Sequence, residues 1–401
     1  MKKVFEVEIG GPDGLGSAAV TLPAPAWELF DALDMARVTG GKQTGTIEVL
    51  SCKLPHLAEC IPETASLYEL NHLAQRLCAL EGWQLQCFEG MVRMDAEKGA
   101  VSIPVERLVN FTHSMDGCQF APRVCNDEAL GRFYVENGFP VIPENLPEIL
   151  YEILDYESIG RKARTAESGV FTSGGYVVQN GGIAQVYHAG DAVPLERPDY
   201  TILLKVTKGF FNDPDYDNDL EALLKLPADS SAIFQAAGMV DAASPEECAF
   251  TVADCAAPRL AELIDDELYG SDGDCCGAVN ILAEQLKRLD DGGRLPVFKA
   301  MLEAAPDDLT LDEAIDLAGQ SVDFALTRDT SDPADYARAV LERCEIPLRD
   351  ELLRGANLYR YGEKLMEQDM TVSTDYGLLR PLDGRTVEQC LDRPRQAMEM
   401  R

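Results

Sequence analysis

A run of alternating acidic residues has the spacing with which an EF-hand loop begins. Within the stretch 213–219, Asp occupies every second position. The sixth loop position is Asn218, where the sharp turn requires Gly, and the twelfth is Leu224, where calcium needs a bidentate Glu. We therefore expect no calcium site, and predict a solvated loop or part of an acidic binding face. The acidic residues of this run are Asp213, Asp215, Asp217, Asp219 and Glu221.

Two further groups of carboxylates stand out by local density. One group precedes a predicted helix in the second half of the chain, and the other lies on a segment with helical spacing. The first consists of Asp265, Asp266, Glu267, Asp272 and Asp274, and the second of Asp307, Asp308, Asp312, Glu313 and Asp316. Neither contains a metal-binding pattern, so both are predicted to contact a partner.

Other patterns that carry chemistry are incomplete. The glycine-rich stretch 11–16 lacks the Gly-Lys-Ser/Thr of a phosphate loop and is better explained as a hairpin turn. The four histidines have no metal-like spacing, and no nucleophile signature occurs. We expect no catalysis, metal or cofactor, although an enzyme whose residues converge only in space stays an alternative.

The charge balance excludes one class of function. The chain has 69 acidic and 35 basic residues, a net charge of −34. Phosphate affinity comes from Lys and Arg, so direct binding of nucleic acid or of an anionic membrane is not expected. Duplex DNA carries one charge per about 1.7 Å, so the excess equals that of about seventeen base pairs. A carboxylate surface on this scale could compete with DNA for a protein that binds phosphates, whereas the simpler alternative is solubility.

A stretch of the first half returns about two hundred residues later. Residues 66–92 predict two short helices, the first with a capping box of Ser66 and Glu69. Each apolar position of this pair has an apolar counterpart in residues 279–302, and Asn71 corresponds to Asn280. The flanking landmarks keep their order, from Leu-Pro-Ala at 22–24 and 226–228 to Gly160 and Gly362.

These correspondences predict an elongated α+β protein built by tandem duplication. Each unit of about two hundred residues would consist of small α+β modules around a central helix pair. The predicted domains are 1–179, a linker at 180–199, a second repeat at 200–379 and a tail at 380–401. Among the local elements, 108–112 is predicted as a strand and 127–136 as a helix. The N-terminus lacks the apolar segment of a signal peptide, so we expect a cytoplasmic protein.

The module resembles antirestriction proteins of conjugative elements, the ArdA type. The likeness rests on Leu-Pro-Ala, Cys-x-x-Pro, the helix at 69–77 and Phe88-Glu89-Gly90-Met91, strongest over 20–92 and 224–303. It implies a non-catalytic DNA mimic that occupies the DNA groove of type I restriction-modification enzymes. Family members are about half this length and pair as dimers, so the duplication would build within one chain what they achieve by pairing.

Two function classes besides an enzyme are therefore compared. The first is an inhibitor that presents carboxylates in place of phosphates, and it would act as a monomer or a homodimer. The second is an acidic accessory or scaffold protein of a mobile element, which binds another basic DNA-processing protein. A pull-down from a host lysate would identify the partner, and a comparison with and without high salt would show whether the interaction is electrostatic.

Overall fold

The computed structural model describes residues 3–38, 45–139, 151, 153–191, 197–209, 220–270, 276–330, 332–346 and 357–391. Within these residues the chain forms many short helices and several three-stranded sheets. The strand pairings described for three of these sheets are antiparallel. The predicted α+β class is therefore confirmed.

The first half contains two of the sheets. Their strand orders are β2-β1-β3 and β4-β6-β5. In chain order the elements are β1 (Phe5–Gly10), β2 (Ser17–Leu22), α1 (Ala26–Met35), β3 (Thr46–Cys52), α2 (Pro55–Ala58), α3 (Leu67–Cys78), α4 (Gly82–Glu97), α5 (Val105–Thr112), β4 (Cys118–Pro122), α6 (Asp127–Glu136), α7 (Tyr156–Glu167), β5 (Val170–Phe171) and β6 (Gly175–Gln179).

The second half contains the other two sheets. Their orders are β8-β7-β9 and β10-β12-β11. The elements are β7 (Ile202–Lys208), β8 (Glu221–Leu226), α8 (Ser230–Met239), β9 (Cys248–Cys255), α9 (Ala261–Gly270), α10 (Gly277–Asp291), α11 (Leu295–Ala304), α12 (Leu311–Gly319), β10 (Phe324–Thr327), α13 (Pro333–Arg343), α14 (Leu358–Gln368), β11 (Val372–Thr374), β12 (Gly377–Pro381) and α15 (Val387–Cys390).

The same order of strands and the same sheet connections occur in both halves. Individual backbone bonds recur as well. The Val4 N–H donates to the Leu22 carbonyl at 2.9 Å, and the Thr201 N–H donates to the Leu226 carbonyl at 2.9 Å. A tandem duplication predicts such agreements, and the duplication itself stays a prediction.

Two glycines used as landmarks allow helices to pack closely. A Cβ atom on Gly160 of α7 would collide with the Asp127 carbonyl at the start of α6. Likewise, a Cβ atom on Gly362 of α14 would collide with the Pro333 carbonyl at the start of α13. Both helix pairs thus depend on a glycine at the crossing point.

Chain contacts divide the molecule into two compact units. Unit 1 consists of Met1–Glu8, Thr21–Pro23 and Thr46–Pro194, and unit 2 of Ile9–Val20, Ala24–Gly45 and Leu195–Arg401. The predicted domains place residues 24–45 in the first repeat, whereas these residues, including α1, belong to unit 2. The predicted repeat boundaries stay a prediction.

The predicted helix pair forms the centre of the core in each unit. In unit 1, Leu77 of α3 and Phe88 of α4 are buried. In unit 2, Leu286 of α10 and Phe298 of α11 lie in one apolar cluster, which also contains Trp27 of α1. The apolar stripes predicted from helical spacing therefore face the core.

Two local predictions are wrong. Residues 108–112 are not a strand but the end of helix α5, which packs on α3. A short, buried, largely apolar run has no periodicity that distinguishes a strand from a helix. The capping box is also not formed, because the Ser66 side chain makes no cap bond. Glu69 instead accepts hydrogen bonds from the Tyr187 hydroxyl at 3.1 Å and from the Gly190 N–H at 3.0 Å.

Residues 180–191 of the predicted linker belong to unit 1, whereas residues 197–199 belong to unit 2. The buried Asn110 of α5 accepts from the Tyr187 N–H at 2.8 Å and donates to the Tyr187 carbonyl at 2.8 Å. The His72 ring stacks on the Tyr187 ring at a centroid distance of 5.4 Å. At the other end of the chain, the described part of the predicted tail includes α15, whose Val387 is buried.

The buried stripe of α10 provides a stability test. Leu286→Ala should lower the free energy of unfolding by about 2 to 5 kcal/mol, because it leaves a cavity in the core. Ile281→Ala on the same helix is the control, since Ile281 is 52% exposed and should change it little. Equal effects of the two substitutions in urea unfolding would contradict the assigned burial.

The histidines of unit 1 predict a pH dependence of stability. Burial and the Arg76 charge lower the pKa of His72 below 6.5, and the same causes lower that of His113. The unfolded chain then binds more protons than the native chain below about pH 6.5, so stability should be lost as the pH falls. Replacing both histidines by Gln should flatten this loss in urea unfolding between about pH 5 and 7. An unchanged pH slope would refute it.

Candidate functional site

Six of the predicted site residues cannot be placed. They lie outside the described residues and include all four aspartates of the calcium-like run. They are Asp213, Asp215, Asp217, Asp219, Asp272 and Asp274. The predicted absence of calcium at that run stays a prediction.

The described carboxylate next to that run is already paired. Glu221 begins β8 and is exposed. Its side chain forms an ion pair with Lys205 on the adjacent strand β7. Since the pair lies in solvent, it contributes at most about 1 kcal/mol to stability. Glu221 retains a charge near the surface, but this charge is largely compensated.

Asp265 has a structural role that its local charge density does not suggest. It accepts a hydrogen bond from the Val252 N–H of β9 at 2.7 Å. Burial raises the pKa of the Asp265 carboxyl, the Val252 N–H opposes this rise, and the neighbouring Asp266 charge adds to it. Asp265 thus joins α9 to β9 and is less accessible to a partner than the prediction assumed.

The exposed predicted acids lie on α9, on α12 and in the turn that precedes α12, and the two helices contact each other. On α9 they are Asp266 and Glu267. At the start of and along α12 they are Asp307, Asp308, Asp312 and Asp316. Here we call these six residues the α9–α12 acids.

Asp307 and Glu313 have further contacts in this region. Asp307 lies 3.4 Å from Arg259, and both side chains are exposed, so this pair is weak. Glu313 caps α12, where its carboxylate accepts from the Thr310 N–H at 2.9 Å. A negative charge at this end is favourable, because the helix N-terminus carries positive partial charge. Glu313 therefore stabilises the helix that displays the others.

A buried group of charges in unit 2 was not predicted. Lys299 of α11 is 2% exposed, and its Nζ lies 2.8 Å from Asp31 and 3.1 Å from Asp34 of α1. The Tyr376 hydroxyl donates to Asp31 at 2.9 Å, and Arg328 donates to the Asp34 carbonyl at 2.8 Å. We call these five residues the Lys299 cluster.

The N-terminus of α1 is held by a second carboxylate. Asp254 of β9 is buried and accepts from the Trp27 N–H at 3.1 Å and from the Tyr200 hydroxyl at 2.9 Å. Burial raises the pKa of Asp254, while these hydrogen bonds stabilise the charged form and oppose the rise. Asp254 and the Lys299 cluster together fix α1 in unit 2.

The Lys299 cluster contains the residue types of an active site, but a substrate could not reach its buried charges. Lys299 and Asp31 are both buried, and they form an ion pair with each other. A substrate would have to displace these contacts, so a structural role is the better interpretation. The available sequence signal was a lysine within the apolar run 297–302, but its partners lie far away in the chain.

One cleft of unit 2 is mainly apolar. Its volume is 220 Å³ and its lining includes Phe324, Met370, Val372 and Leu379, with Glu388 as the one titratable side chain. Among the residues that the structure describes, no group of three His, Cys, Asp or Glu side chains gathers as a metal ion would require. No helix in the described ranges has both the length and the apolar composition to cross a membrane.

No protein-family model and no curated protein matches the chain. The resemblance to the antirestriction proteins therefore rests on the quoted residues alone and stays a prediction.

The Lys299 cluster predicts a large effect of a single substitution. Lys299→Met should lower the free energy of unfolding by about 3 to 5 kcal/mol, because two carboxylates of α1 lose their buried partner. Lys364→Met is the matched control, since Lys364 is exposed on α14, and it should change stability by less than about 0.5 kcal/mol. Chemical unfolding measures both. If Lys299→Met were as stable as the control, the cluster would not be buried as described.

Proposed function

We propose that this chain is a DNA mimic that binds and inhibits a DNA-binding protein, and that its target is a type I restriction-modification enzyme. The observation that carries the proposal is the exposure of the α9–α12 acids on two contacting helices and the turn before α12, in a chain of net charge −34. These carboxylates lie in one region of unit 2, where Arg259 forms a weak pair with Asp307. The resemblance to the ArdA type supports the choice of target.

The physical basis is competition for a phosphate-binding surface. A protein that binds DNA presents Lys and Arg to the phosphates, and carboxylates can occupy the same positions. Single exposed charges contribute at most about 1 kcal/mol, so the effect depends on several acids acting together. Electrostatic attraction would mainly accelerate association, and salt would weaken it.

The remaining parts of the proposal concern organisation and place of action. We propose that the two halves arose by tandem duplication, which the repeated element order and sheet connections support. We also propose that the protein acts without catalysis or cofactor, in the cytoplasm, where its target would be. It would bind no nucleic acid itself, because its basic residues are outnumbered.

The test neutralises exposed acids and leaves the structural ones intact. One variant carries Asp266→Asn, Glu267→Gln, Asp307→Asn, Asp312→Asn and Asp316→Asn. The charge-matched control removes the same charge from exposed acids of unit 1, with Glu59→Gln, Glu63→Gln, Glu97→Gln, Asp116→Asn and Glu136→Gln. Asp265 and Glu313 are kept because their carboxylates stabilise α9 and α12.

We expect the intact chain to inhibit cleavage and methylation by a type I enzyme, with duplex DNA as a competitor. The α9–α12 variant should associate at least about tenfold more slowly than the control variant. If the intact chain leaves both activities unchanged, and DNA does not displace its partner, the mimic proposal fails. An accessory or scaffold role toward another basic protein would then explain the charge.

A further inference from the structure

Helix α8 is an uncharged, partly apolar surface on a strongly acidic protein. None of its ten residues is charged, although 26% of the chain is. Phe234 is 57% exposed and Met239 is 60% exposed. A single exposed apolar residue is common, but these belong to one helical stripe. The stripe, which we call the α8 face, consists of the exposed residues Ser231, Phe234, Gln235, Gly238 and Met239.

The corresponding stripe of α1 is covered. The same number of residues separates each helix from the Leu-Pro-Ala segment before it. Phe30 of α1 therefore corresponds to Phe234 of α8, and Met35 corresponds to Met239. Trp27 is 1% exposed, and Phe30 and Met35 pack against the core of unit 2. The structure therefore contains one example of how this stripe is buried: α1 contacts β9 and the turn Pro258–Leu260.

The surface that would receive a second such helix is open in unit 1. The Ala256 N–H donates to the Thr201 carbonyl at 2.7 Å, and the Lys53 N–H donates to the Val4 carbonyl at 3.0 Å, so Lys53 corresponds to Ala256. Ala256 and Asp254 are buried in unit 2, whereas Lys53 and Ser51 are exposed. We call the exposed residues Leu50, Ser51, Lys53 and His56 the β3 face.

The charges of the two open faces are compatible with each other. The stretch 49–58 contains no acidic residue and includes Lys53 and His56. Glu6 of the neighbouring strand β1 accepts from the Ser51 hydroxyl at 3.2 Å, so the β3 face carries charges of both signs. The uncharged α8 face adds no repulsion, and nearby Leu54 and Leu57 line an apolar depression.

The residues at the corresponding positions disfavour docking of α1 on the β3 face. Asp31 and Asp34 correspond to Gln235 and Gly238, and Lys299 corresponds to Glu89 of α4. The Glu89 carboxylate is already paired with Arg93 at 2.7 Å. Two aspartates docked beside Glu89 would repel it, whereas the α8 face would not. Each helix stripe therefore matches one receiving surface.

From these observations we propose that the α8 face of one copy docks on the β3 face of a second copy, head to tail. The proposal rests on the proposed duplication and not on the proposed inhibition of a restriction enzyme. The contact is heterologous, so a two-chain complex keeps one free α8 face and one free β3 face, and larger assemblies can follow.

The salt dependence of this self-association differs in direction from that of the proposed inhibition. Two chains of charge −34 repel each other, and screening reduces that repulsion. Self-association should therefore increase with salt, whereas binding of a basic partner should decrease. A failed inhibition assay leaves the self-association unaffected, and the reverse also holds.

The experiment measures the mass of the full chain by sedimentation velocity over a range of protein and salt concentrations. One variant, Phe234→Glu, alters the α8 face, and a second, Leu50→Glu with Lys53→Glu, alters the β3 face. Val322→Glu is the control, because Val322 is 65% exposed and belongs to neither face. Circular dichroism confirms that each variant is folded.

We expect the intact chain and the control to associate at high salt, and each face variant alone to associate at least about tenfold more weakly. Mixing the two face variants should restore a two-chain complex, since one supplies an intact β3 face and the other an intact α8 face. A monomeric intact chain at every salt concentration would overturn the proposal. So would association that the variants leave unchanged, or a mixture without the two-chain complex.

Discussion

The burial of charge around α1 is the constraint on which unit 2 depends. A buried ammonium or carboxylate is costly unless its partner is buried with it. Lys299 is therefore paired with both Asp31 and Asp34, which ties α11 to α1. Asp254 fixes the other end of the helix through the Trp27 N–H. Apolar packing alone would tolerate small shifts of α1, whereas the paired charges would not.

This constraint also explains why net charge overstates the surface available to a partner. The acids of the described chain fall into different physical classes. Asp31 is paired with Lys299 in the core, and Glu221 is paired with a lysine at the surface. Asp265 and Glu313 stabilise helices. The acids that stay exposed are a smaller set, which includes the α9–α12 acids. A DNA mimic needs carboxylates that are exposed and held by rigid elements, and helices satisfy both conditions.

The two halves share an order of elements but differ where a helix can dock. In unit 2 the receiving surface is covered by α1, and in unit 1 the corresponding surface is exposed. Repeated units commonly differ at such faces, because a covered face needs anchoring residues and a free one needs solubility. The free α8 face has Gln235 and Gly238 where α1 has its two acids, and it exposes two large apolar side chains, Phe234 and Met239. A helix face that contacts only solvent is expected to carry charged residues, as the rest of this chain does.

The sequence by itself determined the α+β class, the apolar stripes of the central helix pairs and the repeated order of landmarks. These follow from local periodicity, which residues such as Leu77 and Leu286 display within a few turns of chain. It could not distinguish a buried strand from α5, because both bury a short apolar run. It also could not show that Asp31 pairs with Lys299, or that Asp265 bonds to β9 while Asp266 stays exposed. Only the tertiary structure decides such contacts, because it brings together residues far apart in the chain and determines which carboxylates remain in water.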